Sequence, residues 1–324
     1  EVQIVVSGRA AEYLGRRYPN VGRIEGLKMV FEDNTLDRSR TVWEFIKGLP
    51  TLLQENYQKF LELGESFDPD AVISDFETFS YLFGKQHELP ILSVDNMQVI
   101  NRCQLEVPLD EHGTDFLTAK TVVKTKLPGC FHYLVTSFFF PPVRKKRTSL
   151  FPPILRRQIL EAPKEEGDHL LVYQTTTSNE HLMSVLQTAG IPCRVYGLGE
   201  GREGLVERKP FSEEGFIEDL ATSRAVLATG GFSLMGEAVF LGKPLLAVPL
   251  EKQFEQTLNA LYLEKLGYGA YCERLEEAAL SAFLANLDTY RETLAGYQQD
   301  GNAKILEAID ALLAGIEEGR ERPA

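Results

Sequence analysis

The sequence is poor in cysteine. Four occur in 324 residues, with no Cys-x-x-Cys and no close pair. That excludes a disulfide framework and a cysteine-built zinc site, and a reducing, cytoplasmic compartment is expected. Long apolar runs are missing too. The longest candidate, over 133–143, is broken by Thr136, Ser137 and two prolines, far short of the ~20 residues a membrane helix needs. Positive charge is scarce: 34 Lys and Arg against 47 Asp and Glu leave a net charge of −13, which argues against a general nucleic-acid binder. No short internal repeat is visible. What remains, 44% hydrophobic and 25% charged residues, is globular rather than disordered, and the length suits about two domains.

Short apolar runs alternate with helical periodicity, the pattern of an α/β protein with parallel strands. In the first half, strands are predicted over 2–6, 71–74, 91–94 and 133–136. Helices are predicted over 9–16, 41–63 and 76–87, the second carrying Trp43, Phe45, Ile46 and Leu49. Two Pro-Pro pairs, Pro141-Pro142 and Pro152-Pro153, flank the basic run Arg144-Lys145-Lys146-Arg147. Neither a helix interior nor a central strand tolerates them, so a linker is expected there, with domains over 1–150 and 151–324. A second α/β series has strands over 169–174, 194–196, 225–229 and 245–248. Its helices are predicted over 180–188, 213–221, 234–241 and 254–266. A last helix carries Ile305, Ile309, Leu312, Leu313 and Ile316 on one stripe and is expected to pack on a domain surface, crossing back to the first half.

The most informative segment begins at Thr229-Gly230-Gly231-Phe232-Ser233 and includes Glu237. Two glycines between a strand and a helix let a phosphate approach the backbone, where the helix amino end offers N–H donors. Glu237 has the chemistry of a bidentate acceptor for ribose hydroxyls, and Glu255-Gln256 pairs an acceptor with an amide, which suits sugar hydroxyls. A tight turn without ligand is the alternative for the glycines alone. Asp75 ends a predicted strand, where α/β sheets present reactive groups. It is an acid–base candidate, with the N-cap of the following helix as its bland alternative. Glu77 and Asp95-Asn96 are placed beside it as acceptor contacts. Asp68-Pro69-Asp70 reads as a turn rather than a metal site, and the five histidines read as structural.

Gly230-Gly231, Glu237, Gly242-Lys243-Pro244, Glu255-Gln256 and Asn259-Ala260, taken together, resemble the donor-binding signature of the GT-B nucleotide-sugar glycosyltransferases, especially the MurG-like branch. Ile73-Ser74-Asp75-Phe76-Glu77, Ser137-Phe138-Phe139-Phe140-Pro141-Pro142 and the run from Phe254 to Gly269 extend the resemblance over nearly the whole chain. It implies two Rossmann-like domains facing across a cleft. Glu237 would bind the donor ribose. Gly230, Gly231 and Ser233 would lie beside the diphosphate, and Glu255 and Gln256 would hold the sugar, with Asn259 in the same signature. Gln174, Thr175, Thr176, Thr177 and Ser178 match the loop that contacts the diphosphate, and Phe211 matches the region flanking the base.

The chain opens at Glu1 on a strand-like run, without an initiator methionine or a signal-peptide pattern. An upstream segment is therefore expected. The resemblance implies that the first domain lacks its first strand and a Gly-rich loop carrying a histidine. The expected activity is hexosyl transfer from a UDP-sugar to an unidentified hydroxyl acceptor, with no obligatory metal and no cofactor beyond the donor. A nucleotide-sugar-binding or assembly subunit without catalysis, and a UDP-sugar 2-epimerase, are the alternatives. Arg144–Arg147 beside three phenylalanines is either a solvated turn or a patch for anionic lipid headgroups, which would place the protein at the inner membrane surface with a lipid-linked acceptor.

Overall fold

The structure, a computed structural model, describes residues 1–24, 31–32, 35–36, 56–59, 61–63, 65–109, 112–174 and 180–319. The chain forms two compact units. The first comprises Glu1–Asp95, Lys124–Leu134 and Ile309–Ala324; the second comprises Asn96–Val123 and Val135–Ala308. Residue 150, the expected boundary, falls inside the second unit, and the last helix is shared between the two. Most of the predicted helix over 41–63, with Trp43, Phe45, Ile46 and Leu49, lies outside the described residues.

In the first unit, β1 (Ile4–Ser7) runs into α1 (Gly8–Gly15) and pairs in parallel with β2 (Val21–Ile24). A short antiparallel pair, β3 (Phe31–Glu32) and β4 (Thr35–Leu36), follows. Then β5 (Val72–Ser74), α2 (Thr78–Gln86) and β6 (Ile91–Asp95) make a parallel strand–helix–strand unit. Further along the chain come α3 (Val99–Arg102), α4 (Gly113–Lys126), β7 (His132–Thr136) and β8 (Thr148–Phe151), with sheet order β5-β6-β7-β8; α3, most of α4, the end of β7 and β8 group with the second unit. The four strands predicted for this half each appear within a few residues of their expected place.

The second unit is built on one seven-stranded sheet. After α5 (Arg157–Leu160) come β9 (Leu170–Tyr173), α6 (Glu180–Gln187), β10 (Cys193–Tyr196), β11 (Gly201–Glu203) and β12 (Val206–Lys209). These are followed by α7 (Glu213–Ala221), β13 (Ala225–Ala228), α8 (Phe232–Phe240), β14 (Leu245–Ala247), α9 (Phe254–Lys265) and β15 (Gly269–Tyr271). Three helices close the chain: α10 (Glu277–Ala285), α11 (Leu287–Leu294) and α12 (Ala303–Glu317).

The strand order is β11-β12-β10-β9-β13-β14-β15, with β11 antiparallel and the other six parallel. Counted in chain order, the six parallel strands read 3-2-1-4-5-6, the doubly wound arrangement that reverses between its first and fourth members. Here that reversal lies between β9 and β13. The sequences Leu-Leu-Val-Tyr and Ala-Val-Leu-Ala are apolar throughout because helices cover both faces of a parallel sheet, and β13 is buried along its whole length. Leu170, Val172, Val195, Leu227 and Leu246 form the centre of one core cluster with Leu182, Leu186 and Phe283 from the helices.

The Pro-rich stretch is packed rather than free. Phe138 and Phe139 are buried, and Phe139 stacks on Tyr262 of α9 with ring centroids 3.8 Å apart. The Tyr262 hydroxyl accepts from the Glu106 N–H at 2.8 Å, and Lys265 donates to the Glu106 carbonyl at 2.7 Å. These ties explain why residues 96–123 and 135–150 group with the second half of the sequence. The apolar stripe of α12 is deeply buried at Ile305 and half-buried at Ile309, Leu312, Leu313 and Ile316.

Candidate functional site

The carboxyl ends of the parallel strands gather most of the residues the sequence singled out. Gly230 follows β13 with φ +87°, and a Cβ there would stand 2.9 Å from the Gln256 carbonyl. A side chain would be strained and crowded, so the turn depends on glycine. Gly231 is the N-cap of α8, no side chain caps that helix, and the space in front of Gly231 is open. The first-turn N–H groups, at the positive dipole end, thus have no side-chain acceptor capping them. Ser233 is exposed in the same turn. Asn259 is buried and donates to the Gly230 carbonyl at 3.1 Å. It acts by fixing the glycine turn against α9.

Glu237 is in the second turn of α8 and 6% exposed. Both its oxygens accept from Arg156, Nε to Oε1 at 2.8 Å and Nη2 to Oε2 at 2.8 Å, and Arg156 also reaches Glu213 at 3.4 Å. Burial would lower the Arg156 pKa, but the Glu237 hydrogen bonds and charge outweigh it, and the pKa is raised. A carboxylate has about four lone-pair directions, so Glu237 keeps capacity for a second partner beside the guanidinium. Arg156 was not foreseen. The stretch Pro152-Pro153-Ile154-Leu155-Arg156 read as linker, yet a Cβ on Gly236 would stand 2.8 Å from Pro153. The bare helix surface at Gly236 admits Pro153, and that close approach brings Arg156 onto the next residue, Glu237. A glycine directly before a helical acid was the one sequence signal available.

Glu255 accepts from the Asn96 amide at 2.7 Å. Gln256 turns its side-chain carbonyl back to the Leu250 N–H at 2.9 Å, which leaves its NH2 as the outward-acting group. Gln174 follows β9 and is buried, its N–H donating to the Tyr196 carbonyl at 3.0 Å. Thr175, Thr176, Thr177 and Ser178 lie outside the described residues. Phe211, after β12, is 73% exposed and is no part of the core. The next residue, Ser212, caps α7 by accepting from the Gly215 N–H at 3.2 Å.

Beneath this loop, buried Asp219 accepts from Tyr196 at 2.5 Å, from Lys209 at 2.6 Å and from Arg194. Burial pushes its carboxyl up, but the bonds from Lys209, Tyr196 and Arg194 win and hold it below the usual range. The cluster anchors the end of β12 just before Phe211. His169 and His181 bind backbone carbonyls of Asp219 at 2.8 Å and Leu275 at 2.7 Å, as structural histidines do.

In the first unit, Asp75 is exposed at the carboxyl end of β5, followed by Phe76 at φ +50°. Asp75 does not cap α2. Glu77 does, accepting from the Ser80 N–H at 2.8 Å, because the left-handed Phe76 delays the helix by two residues. Glu77 is thereby committed to the backbone. Asp95 is buried and accepts from the Ser93 hydroxyl at 2.6 Å. The Lys126 ammonium sits 4.1 Å from the Phe76 ring centroid. Although the residue reaches the surface, the protein packed around its carboxyl partly desolvates it and raises the Asp75 pKa, opposed by the Lys126 charge. Burial likewise lowers Lys126, opposed by Glu77, Asp95 and Asp75. The Asp75 carboxyl thus reaches solvent and holds its proton more tightly than a free one.

Similarity to known proteins extends over most of the chain. Residues 1–288 match the family described as Glycosyl transferase family 1. An uncharacterized glycosyltransferase of Methanosarcina mazei is 26% identical over 91% of this chain and 82% of its own length. One from Methanosarcina acetivorans is 25% identical over 75% and 70%. Among solved structures, the calicheamicin glycosyltransferase CalG4 aligns with TM-score 0.62 at 17% identity, covering 96% of this chain and 90% of that one. Os79 from O. sativa in complex with UDP aligns with TM-score 0.66 at 13% identity, covering 94% and 93%. These structures share the α/β, parallel-sheet architecture of the GT-B fold. With the glycine turn, Glu237 and the switch-point sheet in place, and the family match spanning nearly all of it, this chain belongs to glycosyl transferase family 1.

Proposed function

We propose that the protein is a hexosyltransferase that moves a sugar from a UDP-sugar to a hydroxyl acceptor. The observation that carries this reading is the uncapped, glycine-opened amino end of α8 at the strand-order reversal, with Glu237 a turn further on. Two solved relatives of the fold carry uridine nucleotides: Os79 holds UDP, and a Phytolacca americana UGT2 holds UDP-2fluoro-glucose with pterostilbene. In the proposed reaction the acceptor oxygen bonds to the anomeric carbon. The bond from that carbon to the β-phosphate oxygen breaks, and the diphosphate leaves with the electron pair. The α8 amino end stabilises the charge that gathers on the leaving group, so no step requires a metal. Glu237 accepts from the ribose hydroxyls. Exposed Phe211 offers its face to the base, and Glu255 and the Gln256 NH2 serve sugar hydroxyls. The acceptor hydroxyl gives up its proton as its oxygen bonds to the anomeric carbon, and Asp75, whose raised pKa suits proton transfer, is the candidate base that takes it.

A donor screen tests the reading. UDP and UDP-hexoses should raise the melting temperature saturably, more than GDP and TDP equivalents do. Equal shifts with all three bases, or none, would remove the UDP assignment. Asp75→Asn should lower kcat and leave UDP affinity unchanged. If affinity falls as far as kcat, Asp75 has no acid–base role.

The acceptor reading rests on a different surface. Phe140 and Val143 are exposed beside exposed Arg144, Lys146 and Arg147. Apolar and basic groups side by side suit an anionic lipid surface, and hence a lipid-linked acceptor. Co-sedimentation with phosphatidylglycerol vesicles, lost on Arg144→Glu/Arg147→Glu, tests it. Among the described residues, no helix is long and apolar enough to cross a membrane.

A further inference from the structure

A cavity of about 300 Å³ opens at the amino ends of β9, β13 and β14. It is therefore at the opposite edge of the sheet from the glycine turn. Lys164, Glu165 and Glu166 approach it ahead of β9, Arg224 ahead of β13, Lys243 ahead of β14, and Arg291 from α11. Four cations thus meet two carboxylates, in a chain whose overall charge is −13. Glu166, more than half exposed, pairs with Arg291 at 2.9 Å, and Arg291 also pairs with Asp288 at 2.7 Å. Lys164, Arg224 and Lys243 have no carboxylate partner among the described residues, and Glu165 contributes its backbone carbonyl to Lys243.

The donors are the informative part. Lys243 is 4% exposed. Its ammonium donates to the Glu165 carbonyl and, at 2.9 Å, to the Ser223 carbonyl, two of the three bonds it can make. Arg224 Nε is buried and has no acceptor among the described residues. Such a donor is costly to leave unmet. Lys164 lies 4.0 Å from the Phe240 ring centroid, with no carboxylate bound to it among the described residues. Burial, and then the Arg291 charge, pull the Lys243 pKa down to about 8, against the opposing charges of Glu166 and Glu165.

We propose that this cavity is a binding site for a small oxyanion of the phosphate class, separate from the nucleotide-sugar site. The chemistry matches on two counts. An oxyanion supplies a counter-charge for Lys164, Arg224 and Lys243, none of which is paired with a carboxylate among the described residues, and a partner for the remaining Lys243 N–H. A cavity of about 300 Å³ is at the small end of ligand sites, which fits orthophosphate or pyrophosphate and not a nucleotide sugar. The proposal is independent of the donor reading, because it uses none of the residues at the carboxyl edge.

The test titrates orthophosphate into the full chain by calorimetry at pH 7, with chloride making up constant ionic strength. Saturable binding is expected, and saturating UDP should leave it intact. Two variants, Arg224→Gln and the surface change Lys164→Glu, should each weaken phosphate binding at least tenfold while UDP affinity stays within twofold. Phosphate should also slow acetic anhydride labelling of Lys243 at pH 8 several-fold, read by mass spectrometry, since a bound anion keeps the ammonium protonated. Three results would each overturn the proposal: no saturable binding, phosphate displaced by UDP, or phosphate affinity unchanged in both variants. Unchanged Lys243 labelling under saturating phosphate would do the same.

Discussion

Arg156 and Glu237 are unequal partners, and removing each should have a different cost. The Glu237 side chain is 8% exposed and that of Arg156 is 37%. Glu237→Gln leaves behind a guanidinium that can turn to water and stay near Glu213, so its cost should be close to that of an exposed pair, ~0–1 kcal/mol. Arg156→Gln instead strands a buried carboxylate, for which ~3–5 kcal/mol is the usual range. Urea denaturation should therefore show Arg156→Gln at least ~2 kcal/mol less stable than Glu237→Gln. Nucleotide binding should separate the pair in the other direction. Glu237→Gln loses charge-assisted bonds to ribose, ~1.5–3 kcal/mol, or roughly ten- to 150-fold in UDP affinity. Arg156→Gln leaves the carboxylate in place with both oxygens released, so affinity for uridine, which has no phosphates, should not fall. Calorimetry with UDP and uridine on both folded variants decides the matter. Unchanged UDP affinity in Glu237→Gln would refute the ribose assignment, and equal destabilisation would refute the burial argument.

Gly236→Ala puts a methyl 2.8 Å from the Pro153 ring. It should cost ~1–3 kcal/mol by overpacking and, by pushing Arg156 off Glu237, change UDP affinity although Gly236 touches no ligand; unaltered binding would break that chain of reasoning. Phe211→Ala should leave stability within about 0.5 kcal/mol, as an exposed site does, yet weaken UDP by ~1–3 kcal/mol if the ring stacks on the base; a melting curve and a UDP titration together check this. Lys243 titrates at about 8 in the fold and near 10.4 when unfolded. Between those values the unfolded chain binds more protons, so this group makes stability rise with pH by about 3 kcal/mol. Denaturation midpoints at pH 7.5 and 10 should show the rise in the wild type and a flatter response in Lys243→Met.

The sequence by itself determined what is local. Apolar runs such as Leu170–Tyr173 and Ala225–Ala228 announce buried parallel strands because every one of their side chains must leave water. Gly230-Gly231 announces a strand-to-helix turn because few other residues fit φ +87° there. Asp75 shows the limit of that locality. Its spacing suited an N-cap, but the left-handed Phe76 shifted the cap to Glu77, and a single backbone dihedral is not written in composition. The tertiary structure decided what depends on partners far apart in the chain. Arg156 reaches Glu237 across 81 positions, Asn96 reaches Glu255 across 159, and Asn259 reaches Gly230 across 29. Tyr262 and Phe139 draw the Pro-rich stretch into the second unit, although Pro-Pro pairs read locally as a boundary. The oxyanion cavity is of the same kind. Lys164, Arg224, Lys243 and Arg291 come from four separate stretches of chain, and their excess charge exists only where the fold sets the amino ends of three strands side by side.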